Sequence, residues 1–277
     1  MNTKLDMGQA WNQAVAMLSA NKNVIAVVAG VFFFLPNLIA TLVMPQSTEI
    51  EAMMGSAPAD NPEAMLQMMG ELYAGIWWIF IPLALVQAVG VLGLLALLTD
   101  KSRPTVGEAL GFGLKGLPTY IGAQLLSAVI LAAVFLLPIM LGALIAPAVA
   151  ALLGLVAFVA VIYVMVKFSL SSPVIAIEKQ LNPVTVLQRS WQITKGNSLR
   201  LFAFYLLLLL VLIVISAISG MVFSVFAIMG DQVGLFAGGI GGSLINMVTA
   251  SVMMAVLAAV HRQLTGSAGD NVVETFE

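Results

Sequence analysis

Charged residues divide this chain into blocks, and between the blocks run five stretches without Asp, Glu, Lys or Arg: 23–48, 72–99, 116–166, 201–230 and 232–261. A helix crosses the roughly 30 Å of bilayer hydrocarbon with about 20 apolar residues, at about 1.5 Å of rise each. Four of the stretches suit one crossing apiece. The third, 51 residues long, suits two crossings joined by a tight turn built from Pro138, Gly142 and Pro147. The pattern predicts six crossings, at about 24–43, 73–98, 119–140, 148–167, 199–220 and 238–260, in one transmembrane domain over 1–263. Hydrocarbon offers backbone amides no partner but one another, so the crossings are helices and the fold class is all-α.

Shorter amphipathic patterns lie between the crossings. Residues 5–20 place Met7, Trp11, Val15 and Leu18 within about 80° of helical arc. Residues 105–116 open with a capping-box spacing, Thr105 and Glu108 behind Pro104, and align Val106, Leu110 and Leu114. Residues 183–195 open with Asn182-Pro183, an N-cap and first-turn pair, and set Thr185, Gln188, Arg189, Gln192 and Lys195 on one arc. Each ends in Lys followed by Gly or Asn just before a crossing, the pattern of a helix lying in the headgroup plane with its apolar side down. The three read as a threefold repeat of one interfacial helix and two crossings, although any helix next to a membrane would show much of the same pattern.

Composition strengthens the membrane reading. The chain is 61% apolar and 9% charged, against about 45–50% and 25% in soluble domains. With the N-terminus inside, all 11 Lys and Arg residues face the cytoplasm, and the exterior carries only Glu49, Glu51, Asp60, Glu63, Glu71 and Asp231. That asymmetry predicts both termini in the cytoplasm of a bacterium, with the protein multi-pass in its plasma membrane. The polar segment before the first crossing, with no small-x-small site after it, predicts an uncleaved N-terminus. Residues 264–277 read as a disordered tail. The scattered cations are membrane-edge anchors, and nothing points to nucleic acid.

Little in the chain suggests chemistry. Cysteine is absent, and no HExxH, GxSxG, phosphate loop or carboxylate pair appears. No cofactor is implied, and the reading is of a protein that is not an enzyme. His261 stands alone beside Arg262, as an interfacial anchor or a proton-handling group. The exterior segment 44–72 aligns Met65, Met68, Met69 and Leu72, either a thioether site for a soft ion or an adaptable apolar face. Mid-depth acids and bases are missing, which argues against proton-driven transport. Uncharged polar positions remain, among them Asn37, Thr41, Gln87, Gln124, Ser216, Ser243, Asn246 and Thr249. They serve as hydrogen bonds between helices or as contacts to a bound molecule. Small residues at four-residue spacing, Ala146-Ala150-Gly154, Gly238-Gly242 and Ser251-Ala255-Ala259, read as seats for neighbouring helices. Pro36, Pro82 and Pro138 fall inside crossings, where they kink helices.

The most distinctive stretch is Ser172–Tyr205, SPVIAIEKQLNPVTVLQRSWQITKGNSLRLFAFY. Pro173, Glu178, Arg189, Ser190, Trp191, Thr194, Lys195, Gly196, Arg200, Leu201 and Phe202 follow the pattern P-x-I-x-x-E, then A-x-x-R-S-W-x-L-T-x-G-x-x-x-R-L-F. In this the chain resembles the bacterial glycerophosphoryl diester phosphodiesterase membrane-domain family and the YciC-like integral membrane proteins. Val186 or Leu187 stands where the family tends to show Ala, and Lys195 replaces a frequent Arg. The resemblance implies a membrane domain only. The family's catalytic residues belong to a soluble barrel for which no segment here is long enough.

Read from the residues themselves, Glu178 reaches Arg189 or the lysines at 179 and 195. Trp191 anchors at the headgroups, and Gly196 ends the helix. The motif is then a structural elbow, or a grip on lipid phosphate through Arg189, Lys195 and Arg200. The expected role is handling or sensing of membrane lipid or another apolar solute. The alternatives are a scaffold binding a membrane-protein partner and a facilitative transporter.

Overall fold

Hydrocarbon leaves a backbone only helical solutions or closed barrels, and among the described residues every element is a helix. The structure is a computed structural model that describes residues 4–44, 62–99 and 104–266. The side chains of Met65, Met68, Met69 and Leu72 and the tail after Gly266 lie outside the described residues. In chain order the helices are α1 (Met7–Ala20), α2 (Lys22–Val43), α3 (Pro62–Thr99), α4 (Val106–Ala143), α5 (Pro147–Phe168), α6 (Ser171–Glu178), α7 (Pro183–Ile193), α8 (Ser198–Ser224) and α9 (Asp231–Leu264). Among the described residues, six segments are long and apolar enough to cross a membrane: Lys22–Val43, Trp77–Thr99, Val106–Ala143, Pro147–Glu178, Ser198–Met229 and Gln232–Leu264. The chain is an all-α, multi-pass membrane protein.

Local chemistry sets the helix boundaries. Thr105 and Glu108 form the capping box, with Thr105 N–H donating to Glu108 Oε2 at 2.8 Å and Glu108 N–H to Thr105 Oγ1 at 3.3 Å. Asn182 Oδ1 accepts from the N–H groups of Val184 and Thr185 at 3.0 and 3.3 Å and starts α7. Inside α2, Gly30–Phe34 forms a π turn just ahead of Pro36. Pro36 has no N–H to donate and its ring crowds the carbonyl four residues back, which the wider turn relieves.

One sequence expectation needs correction. The stretch 105–116 is not a separate interfacial helix but the first turns of α4, 38 residues long. At about 1.5 Å per residue α4 extends about 57 Å, beyond the hydrocarbon thickness. Lys115-Gly116 does not stop it because Gly116 is a packing point: a Cβ there would stand 3.0 Å from Leu92 Cδ1 and 3.3 Å from Ile175 Cγ2.

Close approaches hold the bundle. A Cβ on Gly113 would stand 2.7 Å from the Val89 carbonyl oxygen, and one on Gly93 2.8 Å from Leu110 Cδ2, so α3 and α4 nearly touch. The stripe Ala146-Ala150-Gly154 does seat α5 on α4: Gly142 faces the Ala150 backbone and Gly154 faces Ile139. The core gathers at one end. Val28, Leu92, Leu95, Leu170, Ile175, Val186, Leu201, Val256 and Val260 are buried there, where α2, α4 and α8 begin and α3, α5 and α9 finish. This basic end also holds Lys22, Lys115, Lys167, Lys179, Arg189, Lys195, Arg200 and Arg262. Toward the opposite end α8 and α9 carry mostly exposed apolar residues, and the helices part.

Candidate functional site

At the basic end the expected site residues become a clamp. Lys179, in the left-handed region at φ 53°, ends α6 and turns the chain toward α7. The turn is held by Thr119 Oγ1, which donates to the Leu181 carbonyl at 2.7 Å. It brings Arg189 Nε to 2.8 Å from Glu178 Oε2 and 3.1 Å from Oε1. From α9, His261 Nε2 lies 3.0 Å from Glu178 Oε1. A carboxylate only accepts, so this contact puts a hydrogen on Nε2. His261 is 2% exposed, and among the described residues its Nδ1 has no partner. It is a buried strut rather than a membrane-edge anchor.

The other motif residues tie further elements together. Pro173 is buried within α6. Ser190 Oγ donates to the Lys167 carbonyl at 2.7 Å, joining α7 to the end of α5. Trp191 packs edge-on against Tyr163 at 5.9 Å and tilted against Phe168 at 5.9 Å, so its partners are rings of this chain. Gly196, at φ 82°, makes the reversal into α8. Arg200 Nη1 donates to the Leu5 carbonyl at 3.3 Å, and Leu5 N–H donates to Asn197 Oδ1 at 2.9 Å. Gln263 Oε1 accepts from Asp6 N–H at 3.1 Å, while its Nε2 donates to Gln9 Oε1 at 2.7 Å. The N-terminal segment is therefore bound to both α8 and α9. It also packs on α9 through buried Ala10, Ala14 and Met17, leaving Trp11 and Val15 exposed. Arg189 and Arg200 are thus engaged with different elements, and Lys195 is exposed at the end of α7.

Sequence reasoning missed Lys167, Asn197 and Gln263, each at least nine-tenths buried. For Lys167 a signal existed: Tyr163 stands one helical turn before it, on the same face.

The second region lies toward the other end, where α2, α8 and α9 part. A laterally open cleft of about 580 Å³ is lined by Asn37 from α2, by Ser216, Gly220, Phe223 and Ser224 from α8, and by Gly234, Gly238, Gly242, Ile245, Asn246 and Thr249 from α9. None of these residues is ionisable. Asn246 sits 15 residues into α9, about 22 Å along its axis, and so near mid-depth. Among the described residues, no hydrogen bond reaches the side chains of Asn37 or Asn246.

The glycines explain the opening. A Cβ on Gly238 or Gly242 would meet nothing within 4 Å, whereas on Gly239 it would touch Leu38 and Thr41 at ordinary contact distance and on Gly241 it would strike the Phe223 ring. The expectation that Gly238-Gly242 seats a neighbouring helix is therefore corrected. Gly239 and Gly241 take that part, and Gly238 and Gly242 line open space. Compared with protein-family models, with curated proteins and with solved structures, the chain matches none.

Proposed function

We propose that this protein binds an uncharged, lipid-phase molecule in the cleft between α2, α8 and α9, and that it acts by holding or sensing that molecule rather than by chemistry. The observation that carries the reading is the pair of unpaired carboxamides, Asn37 and Asn246, facing a cleft at membrane depth. An amide with no partner in hydrocarbon costs several kcal/mol. Each carboxamide offers two N–H donors and a carbonyl acceptor, which suit an ester carbonyl, an amide or a hydroxyl. An ionic headgroup would find no counter-charge in this lining. The flat surface left by Gly238 and Gly242 gives room for an acyl or prenyl chain. Depletion of cations at the cleft end supports placing the basic end in the cytoplasm, and the resemblance over Ser172–Tyr205 supports a bacterial plasma membrane.

The test is native mass spectrometry of the full chain released from its membrane. The expected result is a discrete neutral lipid species on the wild type that is lost from Asn37→Leu/Asn246→Leu. Equal, nonspecific lipid on both forms would overturn the reading. A second reading, assembly with another membrane protein, draws on the α4–α5 hairpin, which leaves most of its apolar surface uncovered. In-membrane crosslinking from Leu137 or Leu155 that recovers no reproducible partner would remove it.

A further inference from the structure

The side chain of Lys167 is buried almost to its tip, and its ammonium reaches the outer surface of the bundle. It is 2% exposed. Among the described residues, no carboxylate and no hydrogen-bond acceptor meets its ammonium group. Two aromatic rings do: Nζ lies 5.4 Å from the centroid of Tyr163 and 5.4 Å from that of Trp191, in the corner between rings set at 87°. Lys195 adds a like charge close enough to act on it. The cation–π contacts offset part of the desolvation of the ammonium, and among the described residues no acceptor meets its N–H groups and no carboxylate balances its charge.

The same two rings carry two further donors. Among the described residues, neither the Tyr163 hydroxyl nor the Trp191 indole N–H has a hydrogen-bond partner. Both side chains are partly exposed, at 48% and 38%, on the outside of the bundle. Lys167 lies 20 residues beyond Pro147, about 30 Å along the helix axis, so it stands at the headgroup depth of the basic-end leaflet. Two aromatic donors and a cation thus belong to one ring cluster at the depth of lipid phosphates.

We propose that Lys167, Tyr163, Trp191 and Lys195 form a site for a phosphate anion, supplied by the phosphodiester of an anionic lipid in that leaflet. The anion supplies the counter-charge that Lys167 lacks and accepts from the two aromatic donors. This site is separate from the cleft in depth, in leaflet and in the charge of its ligand, so either assignment can fail without the other.

The test titrates the purified full chain with phosphatidylglycerol or phosphatidylcholine and reads bound lipid by native mass spectrometry. Wild type is expected to prefer phosphatidylglycerol by about fivefold, the equivalent of about 1 kcal/mol for one cation at a charged surface. Lys167→Met abolishes the preference, and Lys115→Met, at the same end of the bundle, keeps it. Tyr163→Phe/Trp191→Phe keeps the rings and removes the donors, and is expected to lower the preference. It decides the matter if Lys167→Met does not fold. Inorganic phosphate in millimolar excess that removes the bound lipid would assign the site to free phosphate and overturn the lipid assignment. Equal preference in wild type and in whichever of these variants folds would overturn the site itself.

Discussion

Replacing Gly238 and Gly242 together with leucine fills the cleft without disturbing the bundle. A Cβ at either position meets nothing within 4 Å, and both glycines line the cleft. Each substitution adds four carbon atoms to the open space and removes a glycine from a helix interior. Leucine exceeds glycine in helix propensity by about 0.8 kcal/mol per position, so the pair gains about 1.5 kcal/mol. The expected result is a variant at least as stable as the wild type in thermal unfolding, with its co-purified lipid reduced more than tenfold, a loss of more than about 1.4 kcal/mol of binding. Gly239→Leu and Gly241→Leu are the controls. At Gly241 even a Cβ strikes Phe223, and at Gly239, where a Cβ already touches Leu38 and Thr41, the three carbons beyond it have to displace them; overpacking of that kind costs about 1–3 kcal/mol. If the 238/242 pair destabilised the protein as much as the 239 and 241 variants, the assignment of helix faces would be refuted. If it were stable and kept its lipid, the cleft would not be the binding site.

Other outcomes follow from the clamp, the close approaches and the topology. Glu178→Ala leaves both ring nitrogens of buried His261 without a partner and is expected to cost about 1–3 kcal/mol in thermal or denaturant unfolding. An equal loss in a His261→Phe background would show that the contact contributes nothing. Gly113→Leu drives a side chain at the Val89 carbonyl, 2.7 Å from its Cβ, and should lose about 1–3 kcal/mol. Gly111→Ala, with nothing within 4 Å, should be neutral or stabilising by comparison. Because the chain has no cysteine, single-cysteine labelling reads its topology cleanly. In intact cells an impermeant maleimide should reach Leu144→Cys, while Leu181→Cys should label only after permeabilisation. The reverse pattern would invert the orientation.

The crossings were legible because a charge inside hydrocarbon is too costly to scatter, so a charge-free run marks each one. The caps at Thr105 and Asn182 were legible because capping is local, decided within three residues. What the sequence did not mark is how far a helix continues beyond the lipid. Lys115-Gly116 looks like a boundary, yet α4 runs through it because Gly116 is in contact with α3 and α6. The rotation of α9 was equally hidden. A helix apolar on every side has no polar face to fix its orientation, and a shift of one residue turns the face by about 100°, which exchanges Gly238 for Gly239. Glu178 and Arg189 were close enough in sequence to pair on inspection. His261 joins them across 83 residues, and Leu5 meets Asn197 across 192, distances over which only the assembled bundle brings partners together. Asn37, Ser216, Asn246 and Thr249 stood out as polar residues in apolar runs, but only their convergence on one cleft separates contact with a ligand from contact between helices.

The central claim is that a specific uncharged lipid occupies the space between α2, α8 and α9. Photocrosslinking in native membranes tests it most directly, with benzoylphenylalanine placed at Gly238 in the cleft or at Leu209 on the outer surface of α8. The account expects one dominant neutral-lipid adduct at position 238 and a mixture resembling bulk phospholipid at 209. The same mixture at both positions would contradict it.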